Sequence, residues 1–167
     1  MNLTRMFKHL LYLPGRVHLA FPARTMQAIE SAIHDSEQRH CGELRFAVEG
    51  ALDIAELWHG VSARERALSV FADLRVWDTE HNNGVLIYLL LADRDMEIVA
   101  DRGIHGHIAA REWEAVCRAM EALLRHGKYE AAALQGVALV GELLQRHYPA
   151  QGRKRNELDN RPVVVKR

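Results

Sequence analysis

The sequence predicts an α/β fold, an αβα sandwich with helices on both sides of a small central mixed sheet. Three observations carry this. Residues 85–91, VLIYLLL, form an unbroken apolar run that is too short to span a bilayer and suits a strand buried on both faces. After it, Ala92-Asp93-Arg94-Asp95 reads as a tight connection and residues 96–100 as a strand returning antiparallel to the first. Apolar residues at helical spacing precede, separate and follow these strands.

In chain order, Leu3, Met6, Phe7, Leu10 and Leu11 fall on one helical stripe, with Arg5, Lys8 and His9 away from it. Packing of that stripe on its own domain is the ordinary expectation. Docking at a membrane surface or in a partner's groove is the sharper one. The run from Leu10 to Leu13 is too short for a secretory core, and Pro14-Gly15-Arg16 breaks it. No stretch is long enough to cross a bilayer, so a cytoplasmic location is expected, with membrane-surface contact through the Leu3–Leu11 stripe as an addition.

Thr25 is placed to cap a helix from residue 26 to about 39, with Met26, Ile29 and Ile33 inward and Gly42 ending it. Residues 43–49 alternate strictly, which predicts a strand near a sheet edge with Leu44, Phe46 and Val48 inward and Glu43, Arg45, Ala47 and Glu49 on a wet face. Trp58 and His59 fit a short helical turn after Asp53. Ser62-Ala63-Arg64-Glu65 is a capping box launching a helix with Ala67, Leu68, Phe71 and Leu74 toward the core. Beyond the hairpin, Trp113, Val116, Cys117, Met120 and Leu124 make another stripe, stopped by Gly127. A last helix over residues 130–147 buries Ala133, Val137, Val140 and Leu144 and ends at Pro149. Its Gly136 and Gly141 cost about 1 kcal/mol each against Ala, which close packing on the sheet would explain. From Ala150 onward the chain is polar and without period, a loose extension in which Val163-Val164-Val165 could add a strand to a sheet edge of this chain or another. The organisation is a basic amphipathic segment over 1–20, one domain over 21–149, and a basic flexible tail over 150–167.

The formal net charge is zero, but it is unevenly spread. Residues 1–24 carry Arg5, Lys8, Arg16 and Arg24 and no acid, and residues 150–167 carry six basic and two acidic groups. The remaining body has 12 basic and 20 acidic residues. An acidic body with basic ends argues against nucleic acid as the body's main ligand and leaves room for cations, or for basic ends that touch something anionic. Two cysteines, Cys41 and Cys117, are too few for a disulfide framework and read as buried free thiols.

The candidate site is the loop before the hairpin, Asp78, Glu80, His81, Asn82 and Asn83, followed by Gly84. A hairpin starts and finishes at one end, so this loop should approach Asp101 and His105, with Asp93 and Asp95 at the other end. Asp78, Glu80 and Asp101 could then ligate a hard cation, Ca²⁺ or Mg²⁺, with Asn82 or Asn83 as a neutral oxygen donor. Arg75 and Arg102 are the neighbouring cations, able to pair with a phosphate or with the acids. His81, His105 and His107 offer a weaker, imidazole-based alternative suited to Zn or Ni. The plain readings stand beside these. Asn82 and Asn83 suit turn chemistry, Asp101 and Arg102 a solvated pair, and Trp77 and Trp113 the core. No organic cofactor is expected.

Asn82-Asn83-Gly84-Val85-Leu86-Ile87, the hairpin after it and the Arg102-Gly103-Ile104 exit resemble the TPM domain, a family named after thylakoid-lumen, photosystem-repair and nematode receptor-accessory proteins. The resemblance covers about residues 21–149 and is nearest to a short bacterial branch with stretches like GELRFAVE, RVWDTE and NNGVLIYLLLAD. It implies an αβα sandwich, a divalent-cation site in loops at one sheet end, and the acid phosphatase activity proposed for plant relatives. Many relatives are exported and membrane-anchored. Where many members read Asp-Asn-Gly, and Gly-Leu-Glu with a later Asp, this chain has Asn82, His105 and Ala110 in place of the three carboxylates. A phosphatase needs a nucleophile or metal-bound water and positive charge for the phosphoryl oxygens, and no nucleophile stands out here. The expectation is a non-catalytic interaction or accessory module whose acidic loops bind a divalent cation or a basic partner. The alternative is a metal-assisted acid phosphatase acting on phosphomonoesters, which should turn Arg75 or Arg102 into the acidic pocket.

Overall fold

The computed structural model describes residues 3–13, 15–152 and 155–166. A four-stranded mixed sheet, ordered β3-β2-β1-β4, separates two helical layers. Its strands are β1 (Glu43–Glu49), β2 (Gly84–Leu90), β3 (Asp95–Ala100) and β4 (Val163–Val165). β2 runs parallel to β1 and antiparallel to β3, with Val85 opposite Ala100 and Ile87 opposite Ile98. The hairpin expected from the apolar run is therefore the centre of the molecule.

One sheet face, built from Leu44, Phe46, Val48, Val85, Ile87 and Leu89, is covered by α3 (Ala23–Glu37), α7 (Ala110–Arg125) and α8 (Tyr129–His147). The other face, with Ala47, Leu86, Tyr88 and Leu90, is covered by α4 (Ile54–Trp58) and α5 (Ala63–Asp73). Every residue of β2 is buried, so truncating one side chain opens a cavity between layers that cannot both close on it. Leu86→Ala should cost roughly 2–5 kcal/mol in urea melts. A loss below about 1 kcal/mol would show that the strand is not the core.

β1 corrects the expectation of a wet face: all seven of its residues are buried. It is interior because β4 pairs parallel along its second edge, Ala47 opposite Val163. The tail thus adds its strand to this chain's own sheet. It also brings partners for the polar side chains of β1. Arg45 donates to the Arg161 carbonyl at 3.3 Å, and the Glu43 carboxylate accepts from the backbone N–H groups of Glu157 and Leu158. Asn160 Nδ2 donates to Glu37 Oε2 at 2.9 Å, tying the tail to α3.

Other elements form close to where they were expected, with shifts that packing explains. α3 starts after Pro22, and Thr25 lies buried in its first turn, hydrogen-bonded to Glu130 instead of capping. The Ser62 capping box is present, but α5 buries Ala63, Ala67 and Val70 and leaves Leu68 about half exposed. That face contains Arg66, which reaches Glu49 on the sheet, and its small alanines allow the close approach. A Cβ on Gly136 would stand 2.2 Å from Met120 Sδ, and one on Gly141 2.0 Å from Ser36 Oγ. These glycines therefore fit α8 between α7 and α3, not against the sheet. Trp113 is buried as expected, while Trp77 is exposed under the Arg75 guanidinium, 5.8 Å from its ring centre.

The N-terminal helix α1 (Leu3–Leu10) overturns the ordinary expectation for its stripe. Its polar side is the docked side. Arg5 bonds Asp93 Oδ2 at 2.9 Å and the Val61 carbonyl at 2.7 Å. His9 is fully buried, its Nδ1 accepting from the Leu52 N–H, which leaves the proton on Nε2 to donate to Asp93 Oδ1 at 2.9 Å. Burial raises the Asp93 pKa, but the bonds from His9 and Arg5 outweigh it and hold the carboxyl below its ordinary value. Leu3, Phe7, Leu10 and Leu11 face outward, and only Met6 of the stripe packs inward. A short α2 (Gly15–Ala20) follows and buries Val17. Among the described residues no helix is long and apolar enough to cross a membrane.

Candidate functional site

The loop between α5 and β2 is built from its own side chains. Arg75 takes a left-handed backbone (φ 53°) to leave α5, and Val76 N–H returns to the Phe71 carbonyl. A turn follows, in which Asn83 N–H donates to Thr79 Oγ1 at 3.0 Å and Asn82 adopts φ 52°, a conformation asparagine tolerates. Asn83 Nδ2 then donates to the Cys41 carbonyl at 2.6 Å and Glu43 N–H to the Asn83 carbonyl. The loop is thereby fastened to the start of β1.

The exit of the hairpin meets this loop, as its geometry requires. Asp101 N–H donates to the Gly84 carbonyl and Gly103 N–H to the Asn82 carbonyl. The Asp101 carboxylate, however, caps the short α6 (Arg102–His105), accepting from Arg102 N–H at 2.7 Å. Arg102 Nε donates to Asn82 Oδ1 at 3.1 Å, and Arg75 pairs with Asp78 at 3.0 Å on the exposed surface.

A cavity of about 750 Å³ opens beside the loop, lined by Asp78, Glu80, His81 and Asn83, by Cys41 and Tyr148, and by Arg155 and Glu157 of the tail. Four sequence-predicted residues thus meet in one wall. Arg75 and Asn82 of the loop, and Asp101 and Arg102 of the hairpin exit, do not line it. The side chain of His105 lies outside the described residues, and His107 packs edge-on against Tyr148. Sequence reasoning missed Tyr148, whose hydroxyl donates to the Gly103 carbonyl at 2.8 Å, and Glu157, which accepts from Glu80 N–H at 2.9 Å. Nothing in a tail without period signals that it returns to a loop some 75 residues earlier in the chain.

Two acceptors here are buried without a hydrogen-bond partner among the described residues, Asn83 Oδ1 and Asp101 Oδ2. The amide orientation of Asn83 is set by its bond to Cys41, so Oδ1 is an oxygen looking for a donor or a cation. A Ca²⁺ ion takes six to eight oxygens and Mg²⁺ an octahedron. Among the described residues no group of three or more His, Cys, Asp or Glu side chains is arranged to hold a metal, so they form no ready cage for either ion. Nor is an activated thiol available elsewhere. Burial and the charges of Glu97, Glu121 and Asp95 push Cys117 up to about 11.

A sandwich of helices around a four-stranded mixed sheet, with a polar loop cavity at one strand end, defines the class of fold. The chain belongs to the TPM domain family, whose pattern it matches over residues 20–143. Among solved structures it is similar to the NMR structure of the BA42 protein from the psychrophilic bacterium Bizionia argentinensis, at 27% identity and a TM-score of 0.77. That likeness covers 87% of this chain and 95% of the other. No curated protein matches the chain.

Proposed function

We propose that this TPM domain is a non-catalytic accessory module whose loop cavity receives a positively charged group, a basic side chain of a protein partner in preference to a bare divalent ion. The observation that carries this reading is where the arginines go. Arg75 and Arg102 are engaged with Asp78 and Asn82 of the loop, outside the cavity that a phosphatase would need them to enter. Asp78, Glu80 and Glu157 line the cavity together with Arg155. An ammonium or guanidinium needs only two or three acceptors, which the carboxylates of Glu80 and Asp78 can supply. A divalent ion needs its ionised oxygens converging on one point, and among the described residues no three such side chains converge.

The test is a two-dimensional NMR titration of the chain with an oligolysine peptide and, separately, with Ca²⁺, Mg²⁺, Mn²⁺ and Zn²⁺. The peptide should shift amides of residues 78–83 and 155–157 saturably and raise the melting temperature. At hundredfold excess over Kd the stabilisation should be about 2.7 kcal/mol. Asp78→Asn with Glu80→Gln should abolish both responses while the hairpin resonances stay in place. Hydrolysis of a phosphomonoester that the same double substitution removes would make the site catalytic and overturn the proposal. A saturable response to divalent ions with none to the peptide would also overturn it.

A further inference from the structure

We propose that the outward face of α1, continued by α2 and α4, is an interfacial anchor that docks on a membrane surface carrying anionic phospholipid. Three features at the turn end of the hairpin, far from the acidic cavity, carry this. The first is the orientation of α1. A helix of a globular domain ordinarily buries its apolar stripe and exposes its charges. Here Arg5 and His9 are fixed to Asp93, Val61 and Leu52, so the helix is held with Phe7 59% and Leu11 72% exposed. The second is continuity. α2 presents Leu19 at 82% exposure, and α4, which packs beside α1, presents Ile54 and Trp58. Aliphatic side chains with a tryptophan among them are what a lipid interface accepts.

The third feature is charge, and it selects the occupant. Between α1, α2 and the β2–β3 turn runs a groove of about 810 Å³ lined by Lys8, Arg16 and Arg94 together with Leu11 and Leu19. Its carboxylate, Asp93, is already held by Arg5 and His9. Lys8, Arg16 and Arg94 make no ion pair among the described residues. An apolar face bordered by unpaired cations fits phosphate headgroups above acyl chains. A second copy of the chain fits less well, because a two-fold contact would set these cations against themselves.

Sedimentation of the full chain with vesicles tests this. The chain should bind phosphatidylcholine vesicles containing phosphatidylglycerol, bind pure phosphatidylcholine poorly, and lose binding as salt rises from about 0.15 M to 1 M. Phe7→Glu with Leu11→Glu should lower partitioning at least roughly tenfold. Replacing Lys8, Arg16 or Arg94 with Gln should lower it about fivefold each. Both side chains of the double variant are solvent-facing, so an unchanged amide spectrum for the hairpin will confirm that it remains folded. Failure to bind the anionic vesicles, or equal binding by the folded double variant, would overturn the proposal. A lipid-independent dimer that Phe7→Glu dissolves would overturn it in favour of self-docking, and saturable capture of a protein partner without any vesicle binding would do so in favour of that partner.

Discussion

Arg66→Ala should remove roughly 3–5 kcal/mol of folding stability, because it strands a carboxylate inside the molecule. Glu49 is 1% exposed on the sheet face beneath α5. Its two oxygens accept from Arg66 Nε at 2.9 Å and Nη2 at 3.1 Å, and Tyr88 donates to Oε2 at 2.7 Å. Arg66 also reaches Glu56 at 3.1 Å. The hydrogen bond to Glu49 holds the Arg66 pKa above its ordinary value, while burial and then the Glu49 charge raise that of the Tyr88 phenol. Both shifts keep the donors in their donating forms. Without Arg66, one phenol faces an ionised group that water cannot reach. In urea the midpoint should fall with the slope unchanged. Replacing the whole group, Glu49→Leu with Arg66→Met and Tyr88→Phe so that no buried hydroxyl is left without an acceptor, should recover most of the loss, since a buried pair is worth little more than apolar residues of similar volume. A drop of less than about 1 kcal/mol for Arg66→Ala would mean that solvent reaches Glu49.

That network also shows what the sequence could and could not reveal. The alternation of residues 43–49 announces a strand, but a charged residue on alternate positions looks the same whether it meets water or a distant partner. The partners of Glu49 and Arg45 come from residues 66 and 161, and no local pattern encodes such pairings. The hairpin was legible because seven consecutive apolar residues and a polar turn leave few other solutions. α1 shows the converse limit. Period reports that Leu3, Phe7, Leu10 and Leu11 share a face, yet the docked face was decided by Asp93 at the hairpin turn. At the site, hairpin geometry correctly brought Asp101 to the loop. The direction of its carboxylate was set by the first turn of α6, a four-residue helix with no periodic signature.

The two ends of β2 have opposite characters. The acidic cavity lies where the strand begins, and the basic, apolar surface lies where it turns. Seven residues at about 3.3 Å each separate them by roughly 20 Å. A chain anchored through α1 would hold its cavity away from the lipid, where a partner's basic segment can reach it.

Gly84 is where loop and sheet depend on each other most directly, and Gly84→Ala should destabilise the protein by about 3 kcal/mol or more. A Cβ there would lie 1.9 Å from the Val76 carbonyl oxygen and 2.9 Å from Val76 Cγ1. The clash is with backbone, so no rotamer change relieves it. Val76 is fully buried and its N–H is bonded to Phe71, while the Gly84 carbonyl accepts from Asp101 and its neighbour Asn83 from Glu43. Movement away from the new methyl must therefore break either the end of α5 or the first pairs of β2. Amides of residues 76–83 should shift or broaden, and binding of the oligolysine probe should weaken with them. Gly106→Ala is the matched control, for that glycine has a right-handed φ of −76° and a Cβ added to it would meet nothing within 4 Å. It should be neutral or slightly stabilising. Equal melting curves for the two variants would show that the loop before β2 is not held against Gly84, and that the cavity wall it forms is loose.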